Sequence, residues 1–184
     1  MPILGIIASS RLAVAAGSYE SIATANGTGS SGVITFSSIP ATYEHLQIRI
    51  LGRSTSTGTT IAITANSDTG SNYARHYVYG DGSTAVAGGN ASQSNMGIAY
   101  VISSTSLSNT YAVNIVDVLD YRNTNKYKTF RVLTGVEVNG SGDSYVQLSS
   151  GLWQSTSAIT SLTFTNSTNY TTDTSFALYG IKGS

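Results

Sequence analysis

Between Tyr43 and Leu51 the chain alternates. Leu46, Ile48 and Ile50 fall on one side of an extended backbone, and His45, Gln47 and Arg49 on the other. Successive side chains of a strand point to opposite faces, so a period of two predicts a strand with one dry and one wet face. The same signature recurs along most of the chain. Residues 60–64 place Ile61 and Ile63 inside, and residues 73–79 set Tyr73, Arg75, Tyr77 and Tyr79 against Ala74, His76 and Val78. Further strands are read at 31–36, 98–102, 111–119, 127–138, 145–153, 159–164 and 176–181, with Leu162/Phe164 and Phe176/Leu178 as inward pairs. No stretch carries a 3.6-residue apolar period with caps; β-branched and aromatic residues dominate instead. Half-buried strands without helices hide their apolar faces by packing sheet on sheet. About ten strands therefore predict an all-β, antiparallel β-sandwich, jelly-roll-like because that is the commonest arrangement of this many strands.

Two segments fall outside the pattern. Residues 80–95, GDGSTAVAGGNASQSN, show no apolar period and read as a long surface loop. The opening MPILGIIASSRLAVAAGS is apolar but unlike a secretory signal, which has basic residues first and an unbroken apolar run. Its only charge, Arg11, comes late, and Gly5, Ser9 and Ser10 interrupt it, although residues 13–17 (AVAAG) mimic a cleavage site. It is too short to span a bilayer. Two readings stand: a docking arm, or a first strand of the core. The simplest organisation is an extended N-terminal arm at 1–18 and a single sandwich domain at 19–184, with no linker and no internal repeat.

Composition narrows the partners. Charged residues make up 10% of the 184, nine basic against nine acidic, where a soluble domain ordinarily has about a quarter. A neutral chain has no long-range attraction for nucleic acid or for an anionic membrane, and neither is expected as a partner. Nor does net repulsion oppose association of its own copies. There is no cysteine, so disulfides and thiolate ligands are excluded. A surface of Ser, Thr, Asn and Gly with few charges suits faces that meet other protein.

Several motifs invite a chemical reading. Asp68-Thr69-Gly70-Ser71 is the tetrapeptide in which an aspartic protease presents its catalytic aspartate. That chemistry needs two carboxylates sharing a proton, and an apolar strand leading into a buried loop. Asn66 and Ser67 precede Asp68 directly, and no second Asp-Thr-Gly or Asp-Ser-Gly occurs. These residues are turn formers, so a turn between two strands is expected. Gly27 to Gly32 fits G-x-G-x-x-G, but a strand and not a phosphate-binding helix follows, which predicts a glycine-rich hairpin loop. His45 and His76 are the only histidines; without thiols they form no metal-ligand set of recognised spacing, and no cofactor is expected. No G-x-S-x-G elbow appears, though a serine hydrolase assembled from distant residues stays open. Arg122, Lys126, Lys128 and Arg131, interleaved with Tyr121 and Tyr127, form the one basic cluster. It reads either as a contact for an acidic surface or a glycan, or as a solvated strand pair balancing Asp117 and Asp120. The second is favoured, and nucleic acid would need a larger patch. Trp153, the only tryptophan, is expected in a core or an interface. The five Asn-x-Ser/Thr sequons follow from the composition and matter only in a chain secreted from a eukaryotic cell.

Taken in order, MPILGIIASS, SYESIATANGTGSSGVITFSSIPATYEHLQIRI, NSDTGSNYARH and AITSLTFTNS…TSFALYGIK resemble a widespread family of small virion structural proteins of tailed bacteriophages, cyanophages included. SSIPATYEHLQIR and SFALYGI are the more specific parts; residues 80–140 contribute little. Members are described as capsid decoration (cement), tail-fibre or structural proteins. The resemblance implies a β-sandwich, often a homotrimer, that sits in the virion and binds its own copies and other virion proteins. It implies no catalytic motif, with DTGSNY lying between strands.

The leading expectation is a head decoration protein that clamps capsomers, its arm residues Ile3, Leu4, Ile6, Ile7, Leu12 and Val14 docking on the major capsid protein or a neighbouring subunit. The alternative is a tail-fibre or receptor-binding module that recognises a host glycan through residues 80–95, with Tyr77 and Tyr79 exposed. Arg122, Lys126 and Lys128 complete the candidate interface or glycan contacts. A third class, a glycan hydrolase, would need a carboxylate pair in one cleft, which the spacing of so few acids does not establish.

Overall fold

The computed structural model describes residues 18–140 and 143–183. Among them are twelve strands and no helix: β1 (Tyr19–Asn26), β2 (Val33–Phe36), β3 (His45–Gly52), β4 (Thr59–Ala65), β5 (Tyr73–Gly80), β6 (Ala85–Gln93), β7 (Met96–Val101), β8 (Ala112–Leu119), β9 (Lys128–Val136), β10 (Tyr145–Trp153), β11 (Leu162–Thr165) and β12 (Ser175–Ile181). Every strand pairing is antiparallel.

The pairings explain the architecture. β1 pairs with β12, β2 with β11, β3 with β8 and β4 with β7. The chain is one long antiparallel ribbon of four strand pairs, rolled so that alternate pairs fall in opposite sheets. One sheet contains β1-β12-β3-β8 and the other is β2-β11-β4-β7, the order of a jelly roll. Two excursions widen the first sheet: β5 and β6 leave the ribbon after β4, and β9 and β10 leave it after β8. They join as β8-β9-β10-β5-β6, giving eight strands facing four.

The expected sandwich is present, with two strands more than the alternation predicted. Both lie at the outer edges of the eight-stranded sheet. β1 is one, and β6 is the other, within the segment expected to be a loop. Residues 81–84 turn there, where the Asp81 carboxylate accepts the backbone N–H groups of Ser83 and Thr84 at 2.9 and 2.7 Å, and 94–95 bend into β7. β6 lacks large side chains because its neighbour leaves no room: a Cβ on Gly88 would lie 2.6 Å from the Tyr77 hydroxyl, and one on Gly89 would strike the His76 ring. The Gly27–Gly32 segment is likewise not a hairpin. It carries the chain from β1 in one sheet to β2 in the other. Its backbone is pinned to the 166–174 segment through Gly27 N–H to Thr174 C=O (2.8 Å) and Asn166 N–H to Gly32 C=O (2.7 Å).

Between the sheets the inward side chains form a dry core. Leu46, Ile48, Ile61, Ile63, Leu162, Phe164, Phe176 and Leu178 have no exposed surface, as the alternation predicts. In the core Phe176 meets Tyr170 edge-on at 5.2 Å between ring centroids and Phe164 in a tilted pair at 5.4 Å. One buried polar side chain locks the sheets together. Asn114 of β8 accepts the Tyr100 N–H and donates to the Tyr100 carbonyl, both at 2.9 Å, and accepts from the Thr134 hydroxyl at 2.8 Å. It caps part of the otherwise open edge of β7.

Candidate functional site

Asp68 is structural. It follows Asn66 and Ser67, both in the left-handed region (φ 51° and 56°), in the tight turn between β4 and β5. Its carboxylate accepts from the Trp153 indole N–H (2.7 Å), the Asn72 amide (2.9 Å) and the Gly70 N–H (2.8 Å). The Tyr73 hydroxyl donates to its backbone carbonyl at 2.9 Å. The Trp153 indole, then Asn72 and Gly70, hold the Asp68 carboxyl below the usual carboxylate range. All its side-chain partners are donors, where a protease dyad would put a second carboxylate. The turn thus ties β4–β5 to Trp153, which is buried and stacks on Tyr73 at 6.5 Å. Among the described residues no group of three or more His, Cys, Asp or Glu is placed to hold a metal ion.

The basic cluster separates. Arg122 pairs with Glu44 at 2.6 Å, Lys126 with Asp120 at 2.7 Å and Arg131 with Asp117 at 2.7 Å, all at the surface. Lys128 departs from expectation: it has no exposed surface and is not available as a contact. At the start of β9 it shares the inward face with Phe130 and Val132. Its ammonium donates to the carbonyls of Asn123 (2.6 Å), Lys126 (2.8 Å) and Thr156 (3.2 Å). Desolvation lowers its pKa, against the opposing pull of Asp120. The charge of Lys128 suggested the wrong environment. The arm residues Ile3, Leu4, Ile6, Ile7, Leu12 and Val14 lie outside the described residues.

Two features of the eight-stranded sheet stand out. The first is its outer face. Register aligns Val78, Leu148, Leu133 and Ile115 in one row across β5, β10, β9 and β8. The next row carries Gly80, Val146, Gly135, Val113 and Leu51. Val78, Leu148, Leu133, Val146, Val113 and Leu51 are each 46–58% exposed. Together they present roughly 500 Å² of apolar side chain, near the upper end for a lone monomer. Glycines let the surface dip beside Val146, in a hollow of about 640 Å³. A second hollow of about 670 Å³ lies beside Val78, Leu148 and Arg131. Of the nearby charges, Arg131 pairs with Asp117 and Arg49 lies over the Tyr179 and Tyr19 rings at 5.0 and 5.9 Å, while Asp81 and Glu137 line the first hollow without a cationic partner among the described residues.

The second is a groove on the inner face, where β5, β6 and β10 extend beyond the cover of the smaller sheet. Tyr77 and Tyr79 line it, half-buried and stacked at 6.2 Å rather than exposed as expected. Tyr145 of β10 meets Tyr79 at 6.1 Å, and Tyr100 of β7 meets Tyr145 at 4.8 Å, both edge-on. Thr60, Gln147 and Asp81 complete a space of about 310 Å³, and a lobe of about 160 Å³ continues past Arg75 and Gly97. Burial pushes the hydroxyls of Tyr145 and Tyr100 up, so both remain protonated donors. Arg75 is fixed beside Tyr77 by the Asn90 amide oxygen (3.1 Å) and the Gly97 carbonyl.

Sequence reasoning found Tyr77 and Tyr79 but missed Tyr100, Tyr145 and Gln147, which come from other strands and carry no common motif. Leu133 and Leu148 were equally hidden, because β9 and β10 carry apolar residues on both faces. In comparisons with known proteins, the chain matches no protein-family model, no curated protein and no solved structure.

Proposed function

We propose that this chain is a non-enzymatic structural protein of a tailed-phage virion, a capsid decoration (cement) protein that associates with its own copies and binds between capsomers. The observation that supports this most directly is the apolar outer face of the eight-stranded sheet. A second copy of the chain is its occupant. The chain is neutral, so no long-range repulsion opposes a second copy, and Arg131 beside the patch is already paired with Asp117. Val146 and Val113 stand as ridges beside glycine-floored hollows, which lets facing copies interlock. Two such faces together approach the area of a specific interface. A face that meets its own copy closes at two chains, so the homotrimer implied by the resemblance requires a further contact, and the N-terminal residues are left to engage the major capsid protein.

Light scattering after size exclusion tests the self-association. The native chain is expected to be oligomeric, and the double variant Leu133→Asp, Leu148→Asp monomeric with an unchanged β-sheet spectrum. A native chain that runs as a monomer throughout refutes the reading of the face. Restored occupancy on undecorated capsids then tests the location. The second reading, a tail-fibre module, draws on the tyrosine groove; copy number per virion separates the two, hundreds for decoration against about six to eighteen for a tail position.

A further inference from the structure

We propose that the groove between β5, β7 and β10 is a binding site for a neutral carbohydrate, with a hexose ring seated against Tyr79. The argument does not rest on the self-association reading, although Asp81 and Tyr145 also border the hollow beside Val146.

Hydroxyl bookkeeping supplies the first support. The core tyrosines are satisfied: Tyr73 donates to the Ala65 and Asp68 carbonyls, Tyr121 to Pro40, and Tyr170 to Phe164. The groove tyrosines differ. The hydroxyls of Tyr77, Tyr79, Tyr100 and Tyr145 have no hydrogen-bond partner among the described residues, and all four rings line one connected space. These hydroxyls are not among the buried unpartnered polar atoms of the described residues, so they reach solvent and are free to bond a ligand that enters the cleft. Gln147 adds an acceptor. Its amide nitrogen is committed to Ser149 at 2.6 Å, which leaves Oε1 free toward the groove.

The remaining chemistry selects the ligand class. Stacked and edge-on phenol rings offer flat apolar surface bordered by hydroxyls, and a pyranose presents the match, a face of C–H groups edged with hydroxyls that both donate and accept. A purely apolar ligand would leave those hydroxyls unpaired. An anionic sugar finds no free cation, because Arg75 is held by Asn90, Gly97 and the Tyr77 ring, 5.5 Å away. The Asp81 carboxylate is likewise engaged by Ser83 and Thr84, and its charge at the rim disfavours anions further. The larger lobe, about 310 Å³, is at the low end of small-molecule sites and suits one or two sugar rings.

Saturation-transfer NMR on the full chain with the methyl glycosides of glucose, galactose and mannose tests this, with sialic acid as the anionic comparison. At least one neutral hexoside is expected to receive saturation on its ring C–H protons, with millimolar affinity. Tyr79→Ala should weaken it roughly tenfold or more, and Tyr79→Phe, which keeps the ring, by only about threefold. Gln147→Ala serves as the second variant, since it removes an acceptor without touching the stacked rings; Trp153 fluorescence checks that each variant is folded. No saturation transfer to any of the three hexosides overturns the proposal. So does binding that survives both alanine variants in folded protein, and so does binding of sialic acid alone.

Discussion

Replacing Lys128 with methionine is the sharpest test of how this sandwich is held. The side chain starts β9 opposite Trp153 in the register, is fully buried, and ends among three carbonyls, those of Asn123, Lys126 and Thr156. Methionine fills much the same space, so packing is nearly conserved and the donor alone is lost. Bonds to a charged donor are worth more than neutral ones, but the ammonium also carries a desolvation cost, seen in its lowered pKa. Taking about 1 kcal/mol net for each orphaned carbonyl gives a loss of about 3 kcal/mol. For a chain of this length that corresponds to a fall of about 6–12 °C in Tm. Thermal melts followed by circular dichroism and by Trp153 fluorescence, at fixed protein concentration, measure it. Lys126→Met is the control. Its exposed pair with Asp120 belongs to a class that contributes little, and Tm should stay essentially where it was. Equal melting of the two variants would refute the reasoning, because it would mean that the Lys128 ammonium holds nothing together.

Asp68→Ala should leave the buried Trp153 N–H without an acceptor, cost about 1–3 kcal/mol and shift the tryptophan emission; unchanged emission and Tm would contradict the structural role. The Asp68 carboxyl is held below its ordinary range in the fold, so its contribution is present above the unfolded pKa and disappears as pH falls through the folded one. Acid titration of wild type should therefore show a loss of stability that the alanine variant lacks. At the alkaline end the buried tyrosines act in the opposite sense. Tyr73 is pushed up to about 12, and Tyr121, Tyr145 and Tyr170 are also raised. Their stabilisation is complete below the unfolded value near pH 10 and declines above it. Tyr73 alone contributes up to about 3 kcal/mol of that decline between pH ~10 and ~12. Urea midpoints falling steeply above about pH 10, alongside tyrosinate absorbance, would bear this out; a flat profile would not.

Strands flanked on both sides and covered by the opposite sheet were legible because each has a full dry face. In β3, β4, β11 and β12 the alternation named the buried residues correctly. β1 and β6 escaped notice for a shared reason: each terminates the larger sheet. An edge strand needs no continuous apolar face, and in β6 Tyr77 and His76 crowd positions 88 and 89, which are glycine. Lys128 escaped because charge is a guide to exposure only where no backbone carbonyls converge to replace water. Its three acceptors belong to two separate turns.

The sequence by itself determined that the described residues form strands without helices, that they pack sheet on sheet, and which side of β3, β4, β11 and β12 faces inward. Those properties depend on the local two-residue period, which any short segment carries. Only the tertiary structure decided how the ribbon rolls, where the two excursions join, and which residues become neighbours across strands. Val78, Leu148, Leu133 and Ile115 form one row, and Tyr79, Tyr100 and Tyr145 one groove, because hydrogen-bond register aligns segments far apart in the chain. That register is a property of paired strands, and no single strand encodes it.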